Sequence, residues 1–162
     1  MEPRANAFWV VILTFFVAYL LAIVPFPDWA MSYRPQWVVM VVIYWGMALP
    51  YRVGIGFAWI AGLLMDILEG SLLGLNALTF AIIAYITLSL HQRMRMFSSA
   101  QQSIVVLALI GLHLNMAHWI KIVADQAYNT NLLFLLGALS SAVVWPWLFM
   151  LLRQMRRGFG VR

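Results

Sequence analysis

Residues 54–78 read GIGFAWIAGLLMDILEGSLLGLNAL. Every fourth residue of this stretch is small or acidic: Gly54, Ala58, Gly62, Asp66, Gly70 and then Gly74. Positions four apart lie along one ridge of a helix, and small residues there let a second backbone approach closely. The ridge has two readings. It is the seam of a tight crossing inside the molecule, the commoner use of such ridges, or a groove for a partner's helix. Asp66 and Glu69 both fall in the last turn, where the helix dipole disfavours negative charge. An acid so placed calls for a cation. Arg34, Lys121 and a protonated His118 are expected in the same outer leaflet, and pairing with them would lock helices two, three and five together. A proton relay needs several ionisable groups strung through the bilayer, and the third helix carries no such series.

Outward from this stretch, apolar runs cover about 8–24, 35–49, 53–69, 72–90, 103–124 and 132–152. They are separated by Pro25-Phe26-Pro27-Asp28, Pro50-Tyr51-Arg52, Glu69-Gly70-Ser71 and a long polar segment from His91 to Gln102. A membrane span needs about 20 apolar residues, with a range of roughly 17 to 25. Runs two and three sit at or below that limit, as two short spans or as one re-entrant hairpin. Two spans are preferred, because Arg52 at a hairpin tip would be costly in the hydrocarbon. The expected fold is an all-α integral membrane protein, one domain of six transmembrane helices.

Composition agrees. Of 162 residues, 65% are hydrophobic and 9% charged, against roughly 25% charged in an ordinary soluble domain. The mean hydropathy is +0.91. A soluble domain this small has too much surface to hide so much apolar mass, which excludes an ordinary cytosolic enzyme and a nucleic-acid-binding module. With no cysteine, disulfides, thiol catalysis and Cys-based metal sites are excluded as well.

Six spans place Arg4, Arg52, Arg93, Arg95, Arg153, Arg156, Arg157 and Arg162 on one side. Arg34, Lys121, Asp28, Glu69 and Asp125 fall on the other. The positive-inside bias then makes both termini cytoplasmic. Only Arg4 precedes the first run as a basic residue, and no small-x-small cleavage site precedes Pro25, so that run reads as a retained helix.

Helix five carries His113, Asn115, His118, Lys121 and Asp125. The last three positions with charge potential, His118, Lys121 and Asp125, share one face at spacings of three and four. His113 and His118 are five apart and do not form the H-E-x-x-H pattern of a zinc protease. Histidines hydrogen-bonded inside the bundle are the expectation. Helix six holds Gly137-Ala138 and Ser140-Ser141-Ala142, another close contact, and then Trp145-Pro146-Trp147. Pro146 removes a backbone donor, which neighbouring helices accommodate. The basic end at Arg153, Arg156 and Arg157 suits anchoring to anionic lipid. Phosphate loops and G-x-S-x-G elbows are absent, so no catalytic, cofactor or metal site is expected.

The run from Gly62 to Leu78 resembles the rod shape-determining protein MreD family. Arg34-Pro35-Gln36-Trp37, the Trp-x-x-x-Leu-Pro-Tyr-Arg pattern from Trp45 to Arg52, and Trp145-Pro146-Trp147 before Arg153 agree with it. The family motif, Gly-x-x-x-Asp followed by Gly-x-x-x-Gly-x-Asn, falls on Gly62, Asp66, Gly70, Gly74 and Asn76. The resemblance implies a non-catalytic scaffold of the cell-elongation complex in the bacterial inner membrane. That complex serves rod shape and lateral peptidoglycan synthesis. MreC is the implied direct partner, with MreB, RodA and a class B penicillin-binding protein in the same assembly. It further implies a fold like the substrate-binding subunit of energy-coupling-factor transporters, and no cofactor. The rival function is a small-molecule-binding transporter subunit, with Arg34, Asp66, His118, Lys121 and Asp125 as its polar set. Those charges can also satisfy one another.

Overall fold

Helix ends fall where proline removes a backbone donor or glycine supplies a left-handed turn. The computed structural model describes residues 8–125 and 132–161. Among them are six α-helices: α1 (Phe8–Ile23), α2 (Trp37–Ala48), α3 (Ile55–Glu69), α4 (Leu75–Met96), α5 (Ser99–Val123) and α6 (Leu136–Phe159). Short 3-10 helices, Asp28–Tyr33 and Leu132–Leu135, precede α2 and α6. No strand occurs among the described residues. Two helices run past the apolar segments that announced them. α4 starts only after the left-handed Gly74 and continues to Met96. α5 begins inside the polar segment, because Ser98 and Gln101 form a reciprocal capping box that satisfies orphan donors at its first turn.

The core is built around α2. Eleven of its 12 residues, Val38 to Ala48, are buried, and α1, α4, α5 and α6 surround it. At about 1.5 Å per residue this helix falls well short of a hydrocarbon core of about 30 Å. Its ends therefore matter, since buried terminal N–H and C=O groups need partners. The Gln36 N–H donates to Ser141 Oγ of α6 at 2.9 Å. At the other end, Arg95 of α4 donates from Nε to the Met47 carbonyl at 2.9 Å and from Nη2 to the Ala48 carbonyl at 3.0 Å. Arg95→Gln should lower thermal stability by about 2 kcal/mol, the scale of hydrogen bonds from a charged donor. Arg93→Gln, on the same last turn but without a hydrogen bond to α2 among the described residues, should change it little; thermal unfolding of the purified variants decides.

α3 packs chiefly on α4, and α5 on α6. α2 and α3 therefore each find their main partner in other helices rather than in each other, unlike the arms of a self-contained hairpin. Side-chain bonds tie the helices laterally: Trp45 Nε1 donates to Thr14 Oγ1 at 2.9 Å, and the Tyr19 hydroxyl donates to the Ala61 carbonyl. Gln102 donates to the Met94 carbonyl at 2.8 Å and receives Trp145 Nε1 at 3.4 Å. Among the described residues, three helices are long and apolar enough to cross a membrane, at 75–96, 99–123 and 132–159, the last counted with its 3-10 turn.

The described charges separate to the two ends of the bundle. The start of α1 meets the end of α6 through Trp9 and Phe159, whose rings lie 5.1 Å apart. Arg95, Arg153, Arg156 and Arg157 line one cleft at that end, and Arg52 lies beside Arg95. Arg34, Lys121 and Glu69 gather at the opposite end. Arg4 and Arg162 lie outside the described residues.

Candidate functional site

The turn from α3 into α4 holds the most polar buried centre of the described bundle. α3 ends at Gly70, which is left-handed at φ 64°, and the N–H groups of Gly70 and Ser71 both return to the Asp66 carbonyl. The Ser71 bond is the 6→1 tie of a Schellman motif and the Gly70 bond the 5→1 tie of a left-handed cap, both ending on one carbonyl. The chain turns again at Gly74, φ 96°, to enter α4. The first N–H groups of α4 have no partner within their own helix. Asp66 supplies one.

Asp66 is 1% exposed. Its Oδ1 accepts from the Asn76 N–H at 2.9 Å and the Ser71 hydroxyl at 2.8 Å. Its Oδ2 accepts from the Gly74 N–H at 2.9 Å and the Ala77 N–H at 3.4 Å. A carboxylate offers about four acceptor positions, and all are engaged. The anion that is ill placed at the end of its own helix thus sits at the N-terminus of the next, where the dipole favours it. The sequence-based expectation is a cationic side chain beside Asp66; the hydrogen bonds on its carboxylate come from other groups. The four donors are neutral groups of the turn and of α4.

The small-residue ridge divides along its length. Ala58 is fully buried. A Cβ placed on Gly62 would meet Ala77 Cα at 2.5 Å and Ala77 N at 2.6 Å, and the Asn76 carbonyl closer still. The Gly62 portion of the ridge is therefore the seam between α3 and α4, filled by this chain's own backbone. Gly54, at the start of α3, has open space around it. Asn76 adds a second tie, its Nδ2 donating to Glu69 Oε2 at 3.2 Å. Gly62, Asp66, Gly70, Gly74 and Asn76 thus converge on one helix-capping turn.

The outer polar set does not converge. Arg34 and Lys121 line a pocket of about 150 Å³ with Gln36, Glu69, Asn76 and His113. His118 instead stacks on Phe134, with ring centroids 4.5 Å apart, and Asp125 is exposed beyond the end of α5. His113 is buried against Phe80. No group of three metal-ligating side chains occurs among the described residues. Pro146 lies inside α6, which continues through it. Of its flanking tryptophans, Trp145 is buried and Trp147 exposed. Ser71, Gln102 and Arg95 carry ties that sequence reading does not single out. For Ser71 the available signal is a hydroxyl just past an acid-bearing helix end.

Fold and site define an all-helical membrane protein whose buried acid closes a turn between two helices. The chain matches the family model described as rod shape-determining protein MreD over residues 3–155. It is 34% identical to rod shape-determining protein MreD of Haemophilus influenzae, across 97% of each chain. The chain belongs to the MreD family. No solved structure matches it, so the expected likeness to the energy-coupling-factor subunit has no structural support.

Proposed function

We propose that this chain is a non-catalytic, six-span scaffold of the bacterial cell-elongation complex in the inner membrane. It serves rod shape and lateral peptidoglycan synthesis by associating with MreC, within an assembly that includes MreB, RodA and a class B penicillin-binding protein. One observation carries the reading. The residues of the family motif build a capping turn whose carboxylate is saturated by four donors, so Asp66 ties α3 to α4 instead of standing as a free acid. Depletion in a rod-shaped host should turn rods into spheres, and the chain should co-purify with MreC from native membranes. Rods that persist after depletion contradict the role.

In this reading the arginine-rich end is cytoplasmic, by the positive-inside bias, and the short helices α1, α2 and α3 cross with the help of their flanking segments. The chain has no cysteine, so single cysteines report topology directly. At Arg52, Arg93 and Arg157 they should be protected from an impermeant thiol reagent in intact cells, and at Asp28 and Leu73 they should label. Labelling at position 52 contradicts the six-span topology.

A transporter-subunit function finds one favourable observation, the outer pocket lined by Arg34, Glu69, His113 and Lys121. His113 Nδ1 is buried there without a hydrogen-bond partner among the described residues. The pocket's roughly 150 Å³ is below the 300–1,000 Å³ or so of small-molecule sites. Fold likeness alone does not transfer function. Scaffold is therefore the conclusion, and ligand-dependent thermal stabilisation of the purified chain is the result that would reverse it.

A further inference from the structure

At the arginine-rich end a cleft of about 970 Å³ opens between the end of α2, the α4–α5 turn and the last turns of α6. Arg95, Arg153, Arg156 and Arg157 line it, with Ser98 and Ser99 at the start of α5. On α6 the lining positions 149, 153, 156 and 157 recur at helical spacing, which puts them on one face. The described carboxylates are Asp28, Asp66, Glu69 and Asp125, and none lines the cleft. Among the described residues, Arg153, Arg156 and Arg157 make no side-chain hydrogen bond or ion pair. Arg95 is fixed through two N–H groups by its bonds to the Met47 and Ala48 carbonyls, and a guanidinium carries five.

Like charges gathered in one cleft repel, and an anion relieves them. Guanidinium groups match the oxygens of a phosphate in paired hydrogen bonds. The cleft is also two-sided, for Met47, Phe97 and Phe149 make part of its wall apolar. Met150 and Val143 of α6, seven and fourteen residues before Arg157 and so on its side of the helix, are exposed. A phosphate seated among the arginines would leave attached acyl chains on that apolar helix surface. An acidic peptide has no use for it.

We propose that this cleft is a binding site for the phosphate headgroup of one anionic lipid per chain. The inference rests on the bundle being membrane-embedded, and it is independent of MreC. It differs from the diffuse attraction of any basic helix end to an anionic surface, because only the arginines that line the cleft take part.

The test is native mass spectrometry of the full-length chain in detergent, titrated with phosphatidylglycerol or phosphatidylcholine. One phosphatidylglycerol should be retained and phosphatidylcholine should not. Arg153→Gln and Arg156→Gln should each weaken retention by roughly fivefold, while Arg93→Gln, at the same end but outside the cleft, leaves it unchanged. An equal loss in Arg93→Gln shows diffuse charge and overturns the proposal. Displacement by inorganic phosphate at matched concentration shows a site for a soluble anion, and displacement by an oligoglutamate peptide shows a protein-docking site; either overturns it. The wild-type chain suffices even where a variant fails to fold, because equal retention of the two lipids also overturns it. A failed lipid test leaves the cell-shape role standing, since the assay contains no other protein.

Discussion

Gly62→Ala should unseat α4 from α3 and leave little folded protein in the membrane. The added methyl would lie 2.5–2.6 Å from the backbone of Ala77, where real Cβ atoms essentially never come closer than 3.0 Å. Backbone atoms of a helix cannot turn aside as a flexible side chain does. Overpacking commonly costs about 1–3 kcal/mol, and a clash with backbone belongs at the upper end, about 3 kcal/mol or more. Gly56→Ala is the matched control on the same helix. Nothing lies within 4 Å of its Cβ position, and replacing glycine in a helix interior gains up to about 1 kcal/mol. Steady-state level and thermal unfolding in detergent should therefore move in opposite directions for the two variants. Equal behaviour would show that α3 and α4 do not meet at Gly62.

Loss of the Asp66 carboxylate is the other large effect. In Asp66→Ala the buried N–H groups of Asn76 and Ala77 lose their acceptor. An unsatisfied buried donor costs about 1–3 kcal/mol, so roughly 2–6 kcal/mol is expected from the pair. Asp66→Asn keeps one acceptor oxygen but turns an amide donor toward N–H groups, and should fall between alanine and wild type. Arg34→Gln and Lys121→Gln give the decisive comparison. The four donors on the carboxylate include neither residue, so neither change should recover stability lost in Asp66→Ala, the recovery a true partner would give in a double-mutant cycle. A double variant more stable than Asp66→Ala alone would restore the cationic partner.

The sequence was informative wherever a single helix decides the outcome. The four-residue ridge located α3, and Gly70 and Gly74 mark its turn because both need φ above zero. It was also informative about Asp66, since the dipole rule correctly demanded positive potential near the carboxylate. What the rule could not say is whether a side chain or another helix's N-terminus provides that potential. The outcome depends on how α4 leaves the turn, which is tertiary geometry. The same limit applies to α2. Its apolar run gave no hint that it lies at the centre of the bundle, because an apolar residue facing lipid and one facing protein look alike in sequence. Its caps, Arg95 and Ser141, come from helices 48 and 105 residues away. The polar segment likewise concealed the end of α4 and the start of α5, where Ser98 and Gln101 favour a helix cap over a loop.

The central claim is that the family's motif residues hold this chain's own helices together. Thermal unfolding of purified Asp66→Ala beside wild type, read together with MreC co-purification from the same membranes, tests it most directly. The account predicts a much lower unfolding midpoint and a reduced level, with the surviving folded fraction still bringing down MreC in proportion. Wild-type unfolding combined with lost MreC co-purification would contradict it, and would make Asp66 a contact to the partner.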